Sequence, residues 1–484
     1  MKFESLHQLL LEASSKHPGS QALLGVDKSL SFEQLVQEVS GLANGLRAAG
    51  LEAGQRVATS VPPHWDFQLT LALAKLGAVT VTVSENAACL DGLIHWHISD
   101  KALAAPDAIT GAKQLVLDKT WIQLPVSKQE TEDSFSFQDQ DPFRLFLTSG
   151  TTGNPKLVSY SFGTIATKAV ALSIYWHQGE LEYNFMPLGS IGGFSTALSS
   201  LVKGVPFVSS SSAITGTLAL LARNKISTIT GSPYQIAGAV RALEENKLEL
   251  PELKKIRLAG SFPTTAFRNK LTSLGVESIE SVYGSTECGA VFVRDLKDGL
   301  PPEYLGEVIQ GCEVRAVARA ESDISLLAEK EFEYKTPYMF DGYLMPDGTL
   351  DPGTTNGWFR PGDRVRNASG KYLFVGRDDD LVNIGGVIFS ALPVEEFAKS
   401  FPGVEDAVSF GTEDGQGTPI YALAVVAGFG FQLAKLSEAI KTQFKQNNPS
   451  HLTLVLRIPR NQMGKPLRFE LSEDFKKRMA SDNS

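Results

Sequence analysis

The chain has 484 residues, of which 43% are hydrophobic and 20% are charged, and its formal net charge is −9 at pH 7. This composition is ordinary for a soluble globular protein, and the length predicts one large domain and at least one smaller one, because a single hydrophobic core rarely covers so long a chain. The negative net charge gives no general attraction for nucleic acid or anionic lipid, so any anionic ligand must be held by a local site.

The start of the chain and its cysteines predict a cytoplasmic protein. No apolar stretch follows the first four residues, and the longest apolar run, residues 420–431, is too short to span a bilayer. The cysteines are few, odd in number and unclustered, which fits a reducing compartment and offers no metal-ligand spacing. They are Cys89, Cys288 and Cys312. His95 and His97 have no third ligand near them in sequence and are interpreted as surface or packing residues.

Helical and strand patterns alternate along the first part of the chain. Ser31 begins a capping pattern with Gln34, and apolar residues then recur at helical spacing until Gly50. Residues 56–61 and 78–83 are rich in β-branched side chains and have the length of strands. This alternation predicts an α/β fold with largely parallel sheets covered by helices.

The middle of the chain contains a polar connection and several strands that end at glycines or loops. Residues 126–141 are polar and acidic and are interpreted as a surface connection, after which residues 143–147 form a strand. Further strands are predicted at residues 226–230, 256–260 and 279–284. Ligand sites in parallel sheets gather at such strand ends.

The loop at residues 148–156, with the sequence TSGTTGNPK, has the composition of a phosphate site. Its glycines let backbone N–H groups converge on an anion, its hydroxyls add donors, and Lys156 adds a positive charge. The spacing differs from the common P-loop, in which the lysine directly follows the second glycine, and Ser149 lacks the G-x-S-x-G context of a nucleophile elbow. A flexible surface loop is the alternative for this composition taken alone.

The string T-S-G-T-T-G-x-P-K resembles the phosphate loop of the adenylate-forming superfamily, which includes acyl-CoA and aryl-CoA synthetases, peptide-synthetase adenylation domains and firefly luciferase. The chain departs from the usual Pro-Lys-Gly only at Leu157. The resemblance implies that the loop binds the phosphates of ATP. The loop residues concerned are Thr148, Ser149, Gly150, Thr151, Thr152, Gly153 and Lys156.

Residues 283–287, YGSTE, resemble a second motif of the superfamily. The resemblance implies that Tyr283 stacks on adenine, Thr286 bonds the α-phosphate and Glu287 holds Mg²⁺. These roles suit an aromatic face, a hydroxyl and a hard carboxylate. Gly260 and Ser261 stand where the superfamily has a turn beside the adenine.

Two further motifs resemble the ribose site and the hinge of the superfamily. Asp363 ends the segment WFRPGD, where Pro361 replaces the usual threonine, and the resemblance implies that it accepts hydrogen bonds from the ribose. Arg377 lies in GRDDD and would also reach the ribose, while Asp379 would be the hinge. An acidic surface turn is the alternative for this segment.

The last part of the chain resembles the mobile C-terminal domain of the superfamily. The implied boundaries are residues 1–378 for a large N-terminal domain of helix-flanked sheets, which binds ATP and the acid, and residues 379–484 for a smaller α+β domain. Gly385 and Gly386 would line the channel for a thiol, although Ala391 and Pro393 depart from the usual residues there. Lys465, in PRNQMGKPLR, would be the catalytic lysine of the first half-reaction.

Together these motifs imply that the chain joins a carboxylic acid to AMP from ATP with Mg²⁺, and then transfers the acyl group to a thiol. Coenzyme A is the expected acceptor, and the phosphopantetheine of a carrier protein is the alternative. A catalytically degenerate nucleotide-binding protein is a remote alternative, and nothing in the sequence supports a luciferase-like oxygenase. The catalytic residues implied are Lys465, Thr286, Glu287 and Lys156.

The acid pocket is expected near residues 185–194. Many acyl- and aryl-CoA ligases have Phe-His where this chain has Gly189 and Ser190, and no aspartate stands between residues 183 and 200 to pair with a substrate ammonium group. A plain aliphatic or aromatic acid is therefore expected rather than an α-amino acid. The pocket residues predicted are Ser190, Ile191, Gly192 and Gly284.

Overall fold

The computed structural model describes most of the chain. The described residues are 3–26, 28–83, 88–103, 108–148, 155–174, 180–209, 214–301, 303–317, 330–368, 370–377, 381–384, 387–413, 419–445, 448–461 and 463–482.

Helices and strands alternate through the first 300 residues. The helices are α1 (Leu6–Lys16), α2 (Phe32–Ala48), α3 (Pro63–Lys75), α4 (Lys128–Glu132), α5 (Phe162–Ser173), α6 (Ile191–Lys203), α7 (Ile214–Arg223), α8 (Pro233–Glu245), α9 (Thr265–Ser273), α10 (Leu392–Ser400), α11 (Leu433–Phe444) and α12 (Arg468–Asp482). The strands up to residue 295 are β1 (Gln21–Leu24), β2 (Ser29–Ser31), β3 (Arg56–Ser60), β4 (Val79–Thr82), β5 (Trp96–Ser99), β6 (Lys113–Val116), β7 (Pro142–Thr148), β8 (Lys156–Ser161), β9 (Glu182–Asn184), β10 (Phe207–Val208), β11 (Thr228–Gly231), β12 (Lys255–Ala259), β13 (Ser278–Ser285) and β14 (Gly289–Asp295). The later strands are β15 (Glu307–Val308), β16 (Glu313–Val317), β17 (Lys330–Lys335), β18 (Gly342–Leu344), β19 (Leu350–Asp351), β20 (Asp363–Ala368), β21 (Lys371–Arg377), β22 (Leu381–Ile384), β23 (Val387–Ser390), β24 (Val404–Glu413), β25 (Pro419–Ala427) and β26 (His451–Leu454).

Two large sheets have parallel centres, with antiparallel strands at one edge of the first sheet and at both edges of the second. The strand order of one is β19-β18-β8-β7-β4-β3-β5-β6, and that of the other is β15-β14-β13-β12-β11-β9-β10-β1-β2. Strands β3 to β7 pair in parallel in the first sheet, and β9 to β13 do so in the second. The predicted α/β class with largely parallel sheets is therefore confirmed.

The main hydrophobic core joins both sheets through the helices between them. Helix α2 shows how the sequence produces this packing: Ser31 and Gln34 form a reciprocal capping box at its start. The side chains that recur at helical spacing on one face are fully buried in the core. They are Leu35, Val39, Leu42 and Leu46. Burying each such side chain contributes roughly 1.5–3 kcal/mol.

The polar connection at residues 126–141 is more structured than the sequence predicted. It contains α4, and Phe137 packs in the core with its ring stacked 4.8 Å from that of Phe162. The buried amine of Lys75 donates to the backbone carbonyl of Thr131 at 3.1 Å. The segment lies at the surface as predicted, since most of its residues are exposed, while one buried aromatic residue and the backbone carbonyls anchor it to the core.

The C-terminal residues form separate small layers. Strands β24, β25 and β26 make a three-stranded sheet, and β22 pairs with β23 in a hairpin. One face of the three-stranded sheet packs against α10 and α11, and the other packs against α12. This α+β arrangement agrees with the predicted smaller domain, while the boundary at residue 378 stays a prediction.

Within the described ranges, no helix is both long and apolar enough to cross a lipid bilayer.

Candidate active site

The predicted phosphate loop connects two antiparallel strands. Thr148 ends β7 and pairs in register with Lys156, which begins β8. The intervening residues 149–154 lie outside the described residues, so the predicted roles of Ser149, Gly150, Thr151, Thr152 and Gly153 have no structural counterpart here. The two ends of the loop are nevertheless held together, because Thr148 and Lys156 pair where β7 ends and β8 begins, inside the first sheet.

The Thr286–Glu287 motif lies in the turn between β13 and β14. Position 284 requires a glycine because the backbone of Gly289 passes close to it: a Cβ atom at position 284 would lie 1.9 Å from the carbonyl oxygen of Gly289. Gly289 itself has a φ of +70°, which disfavours other residues. The two glycines therefore set the tight shape that presents Thr286 and Glu287.

The backbone carbonyls of this turn receive hydrogen bonds from residues distant in sequence. The hydroxyl of Tyr160 donates to Thr286 O at 2.7 Å, and the amide of Phe340 donates to Glu287 O at 2.8 Å. Two more bonds hold the following residues: Thr336 Oγ1 donates to Cys288 O at 3.1 Å, and Tyr338 OH donates to Ala290 O at 2.9 Å. The turn is thus held by the surrounding fold, and buried Cys288 serves in packing, as predicted.

Tyr343 is a site residue that the sequence reasoning missed. Its hydroxyl donates to Glu287 Oε1 at 2.9 Å, and Lys156 Nζ lies 4.8 Å from the centroid of its ring. Burial, aided by the Glu287 carboxylate, raises the pKa of Tyr343, so the hydroxyl stays a donor. Only the pairing of β8 with β18 brings this tyrosine to the site, and a single tyrosine after a glycine gave no sequence signal.

Tyr283, Asp363 and Arg377 meet on one side of the site. The hydroxyl of Tyr283 donates to Asp363 Oδ2, and Arg377 Nε lies 3.0 Å from Asp363 Oδ1. Asp363 and Arg377 pair in register across the β20–β21 hairpin, which explains why residues 14 positions apart adjoin. Burial and then the Asp363 carboxylate raise the pKa of Tyr283. The three predicted nucleotide residues are therefore in direct contact.

Aromatic rings surround this cluster. Phe262, from the predicted adenine turn, stacks on Phe374 with centroids 4.8 Å apart, and the Tyr283 ring lies 6.4 Å from both. Gly260 and Ser261 directly precede Phe262, follow β12 and are exposed. An exposed turn beside stacked rings is suited to hold a flat base.

Lys465 lies in a tight loop that contacts the large domain. Asn461 Oδ1 accepts hydrogen bonds from the amides of Met463 and Lys465 at 3.0 and 2.9 Å. A Cβ atom at Gly464, whose φ is +75°, would come within 2.5 Å of Tyr234 at the start of α8. The methyl group of Met463 lies near Gly260 in the predicted adenine turn. The structure thus brings the Lys465 loop to the same side as the nucleotide cluster.

The predicted acid-pocket residues lie at the start of α6. Ser190 caps this helix: its Oγ accepts from the amide of Gly193 at 3.1 Å and donates to Pro187 O at 2.8 Å. A Cβ atom at Gly192 would lie 2.7 Å from the Met186 side chain, so the absence of a side chain at this position leaves room for the methionine. The Ser190 hydroxyl is therefore engaged in capping. Ile191 begins the same helix and is half-buried.

Arg144 lies beneath this segment and was also missed. It is fully buried, donates from Nη2 to Leu188 O at 2.9 Å and stacks 4.2 Å from the Phe194 ring centroid. Burial lowers the pKa of Arg144 to about 10. This arginine fixes the backbone just before Gly189, but an isolated arginine inside a predicted strand carried no sequence signal.

The predicted hinge residue Asp379 and the thiol-channel residues Gly385 and Gly386 lie outside the described residues.

The two histidines that flank Trp96 make hydrogen bonds within the fold, since His95 Nδ1 accepts from the Arg56 amide and His97 Nε2 is 2.9 Å from Ser60 Oγ.

The residues present fit a magnesium ion carried by ATP. No group of three or more potential metal ligands occurs in the described part of the chain. Mg²⁺ commonly binds through one or two carboxylates together with substrate phosphates, so a single carboxylate such as that of Glu287 fits a site of this kind. The Tyr343 hydroxyl orients this carboxylate.

Comparison with known proteins indicates the same class of enzyme as the motifs. A sequence profile described as AMP-binding enzyme matches residues 10–344. The chain is 26% identical to the medium/long-chain-fatty-acid–[acyl-carrier-protein] ligase FadD10 of Mycobacterium tuberculosis, with 97% of each chain covered. It is 23% identical to the medium-chain fatty-acid–CoA ligase of Escherichia coli, with 94% of this chain and 87% of that protein covered.

The fold is similar to that of the O-succinylbenzoate coenzyme A synthetase MenE of Bacillus subtilis in complex with AMP. The TM-score is 0.82 at 21% identity, and the match covers 96% of this chain and 97% of that one. A structure of the same B. subtilis enzyme contains ATP and a magnesium ion.

The chain therefore belongs to the AMP-binding enzyme family. It is an AMP-forming ligase, which activates a carboxylic acid with ATP and passes the acyl group to a thiol.

Proposed function

We propose that this ligase activates a fatty acid and transfers it to coenzyme A, with the described cluster as its adenylation site. One observation supports this most directly: the turn with Thr286 and Glu287 adjoins the Tyr283–Asp363–Arg377 cluster on one side and the Lys156–Tyr343 pair on the other. A single ATP molecule can engage both groups, with its base and ribose at the cluster and its phosphates near Lys156.

The first half-reaction is a displacement at phosphorus. A carboxylate oxygen attacks the α-phosphorus of ATP, the bond to the β-phosphate oxygen breaks, and pyrophosphate leaves. Negative charge on the reacting oxygens must be compensated, so Lys156 acts at the leaving phosphates, Lys465 between carboxylate and α-phosphate, and Thr286 as a hydrogen-bond donor. A magnesium ion held by Glu287 would neutralise phosphate charge. No protein nucleophile is needed.

The second half-reaction consumes the acyl-adenylate. A thiol sulfur attacks the acyl carbon and gives up its proton to water, AMP leaves with the electrons of the broken C–O bond, and a thioester forms. We assign Gly385 and Gly386 to the thiol channel, and Asp379 to the hinge that replaces the Lys465 loop with this channel. The loop contact between Gly464 and Tyr234 supports an adenylation-type arrangement in this structure.

The apolar surroundings of the predicted acid pocket support an uncharged acyl chain. Met186 is buried before the start of α6 and Phe194 is buried within that helix, while the Arg144 guanidinium contacts Leu188 O and the Phe194 ring. No aspartate lies between residues 183 and 200 to bind an ammonium group. The fatty-acid ligases among the relatives support the same class of acid.

A carrier protein is the second candidate acceptor. Its support comes from two similar proteins that are named as acyl-carrier-protein ligases, FadD10 of Mycobacterium tuberculosis and MmaC of Mycobacterium marinum, which are 26% and 25% identical to this chain. Both acceptors present the same phosphopantetheine thiol, so the chemistry at the acyl carbon is identical.

Pyrophosphate exchange into ATP tests the activated acid, and thioester formation tests the acceptor. Exchange should be fastest with medium- or long-chain fatty acids, and slower with benzoate and with α-amino acids. CoA is then added with the best acid, and in parallel a phosphopantetheinylated carrier protein. Pyrophosphate exchange followed by formation of acyl-CoA supports the proposal, whereas formation of a thioester only on the carrier protein would establish the second candidate. No exchange with any acid would overturn acid activation.

A further inference from the structure

Lys168 is a buried lysine directly beneath the adenylation turn. It lies on α5 with 1% of its surface exposed. Its Nζ is 3.0 Å from the hydroxyl oxygen of Tyr160, 4.3 Å from the Tyr160 ring centroid and 5.5 Å from that of Tyr338. A buried amine is costly unless it is hydrogen-bonded, and here one hydroxyl and two ring faces surround it.

Tyr160 carries this contact to the turn. The same hydroxyl that accepts from Lys168 donates to the backbone carbonyl of Thr286 at 2.7 Å. Burial lowers the pKa of Lys168 to about 7 and raises the pKa of Tyr160, so the tyrosine remains a donor. Either protonation state of the amine can donate to the phenol oxygen.

The turn also leaves space for the lysine. A Cβ atom at Gly289 would lie 2.9 Å from both Cε and Nζ of Lys168. The lysine therefore packs against the backbone of the turn as well as bonding to it through Tyr160. Tyr338, whose ring faces the amine, donates its hydroxyl to the carbonyl oxygen of Ala290, which lies in β14 just after the turn.

We propose that Lys168 is a positioning residue for adenylation: through Tyr160 it fixes the backbone that presents the Thr286 hydroxyl and the Glu287 carboxylate. In this role the lysine acts only through the turn, by way of its contacts with Tyr160 and with the backbone at Gly289. This inference rests on the proposed function, because it assigns to Lys168 the alignment of groups used in acyl-adenylate formation.

The test compares Lys168→Met, which keeps the length of the side chain but removes the amine, with Tyr160→Phe, which keeps the ring but removes the hydroxyl. Each should lower kcat for pyrophosphate exchange about tenfold, as expected for the loss of one buried hydrogen bond, while KM for the acid stays within twofold. The kcat of the double variant should be no lower than that of the more impaired single variant, because both substitutions break the same chain of hydrogen bonds.

Lys75→Met is the matched control. Lys75 is equally buried, and its amine bonds to His7 and to the backbone carbonyls of Thr131 and Asp133, away from the site. This variant should lower the melting temperature but leave kcat unchanged. Loss of kcat in Lys75→Met equal to that in Lys168→Met would overturn the positioning role, as would a folded Lys168→Met with wild-type kcat, or a double variant whose losses multiply.

Calorimetric titration with Mg·ATP tests the positioning of the turn independently of catalysis. The dissociation constant should rise several-fold in Lys168→Met and Tyr160→Phe, and stay unchanged in Lys75→Met. Equal affinities in all of these proteins would overturn the proposal. Failure of the proposed acid activation would be distinguishable. The wild-type protein would then show no pyrophosphate exchange with any of the acids, while the difference in Mg·ATP affinity between the variants would persist.

Discussion

The hydroxyl of Tyr343 donates to Glu287 Oε1 at 2.9 Å, while the ring of the same tyrosine lies 4.8 Å from Lys156 Nζ. One side chain thus links the carboxylate assigned to magnesium with the lysine assigned to the leaving phosphates. The two functions can be separated, since the hydroxyl serves Glu287 and the ring faces the cation.

Tyr343→Phe should lower kcat for pyrophosphate exchange about tenfold and raise the magnesium concentration needed for half-maximal rate, because the carboxylate loses its orienting donor. Tyr343→Leu also removes the ring and should be slower still. Exchange rates measured across a magnesium titration check both. Tyr421→Phe is the control, because it removes a buried hydroxyl of β25 that is hydrogen-bonded to Ser409 in β24. Identical magnesium dependence in Tyr343→Phe and wild type would contradict the assignment.

Asp363→Asn should weaken ATP binding about 10- to 100-fold, because a charged acceptor for the ribose and the ionic partner of Arg377 are lost together. Calorimetric titration with ATP measures the effect. Asp347→Asn changes an exposed turn carboxylate bonded to Thr349 and should bind ATP normally. Wild-type affinity in Asp363→Asn would remove Asp363 from the ribose site.

Lys465→Ala should lose acyl-adenylate formation by about 10²- to 10³-fold, the usual cost of removing one pre-placed charge from a transition state. ATP binding should survive, since the cluster around Asp363 is untouched. Lys435→Ala, an exposed lysine of α11, is the matched control for charge. Near-normal pyrophosphate exchange in Lys465→Ala would rule out this lysine as the catalytic one.

Asp379→Pro should slow thioester formation more than adenylation, because a proline restricts the backbone rotation expected of the hinge. Single-turnover measurements of acyl-adenylate and of thioester separate the two half-reactions. Equal damage to both would count against a hinge at this residue.

Stability should fall in acid because of His7. Burial, and then the positive charge of Lys75, lower the pKa of His7 to about 4 from an ordinary 6.5. The unfolded chain therefore binds more protons between these values, and stability is lost as the pH falls through that window, by on the order of 2 kcal/mol at pH 5 relative to pH 7. Melting temperatures at pH 7 and pH 5 should differ less in His7→Gln than in wild type. An equal difference would exclude His7 as the cause.

Local patterns determined much of the fold. The capping box at Ser31 and the helical spacing behind it predicted α2 within about two residues of its ends, since capping and periodicity act within one helix. The polar connection at residues 126–141 is largely exposed, as predicted, but the contact of Phe137 with Phe162 was not predicted, because it depends on side chains brought together by folding.

By itself, the sequence determined the class of enzyme and the order of its motifs, because glycine-rich loops and their polar neighbours are short, contiguous strings whose chemistry is local. The tertiary structure alone decided which residues support them. Tyr343 reaches Glu287 through the pairing of β18 with β8, and Lys168 reaches Thr286 through Tyr160. The Tyr343–Glu287 and Tyr160–Thr286 contacts join residues more than fifty positions apart, and no periodicity or spacing along the chain encodes them.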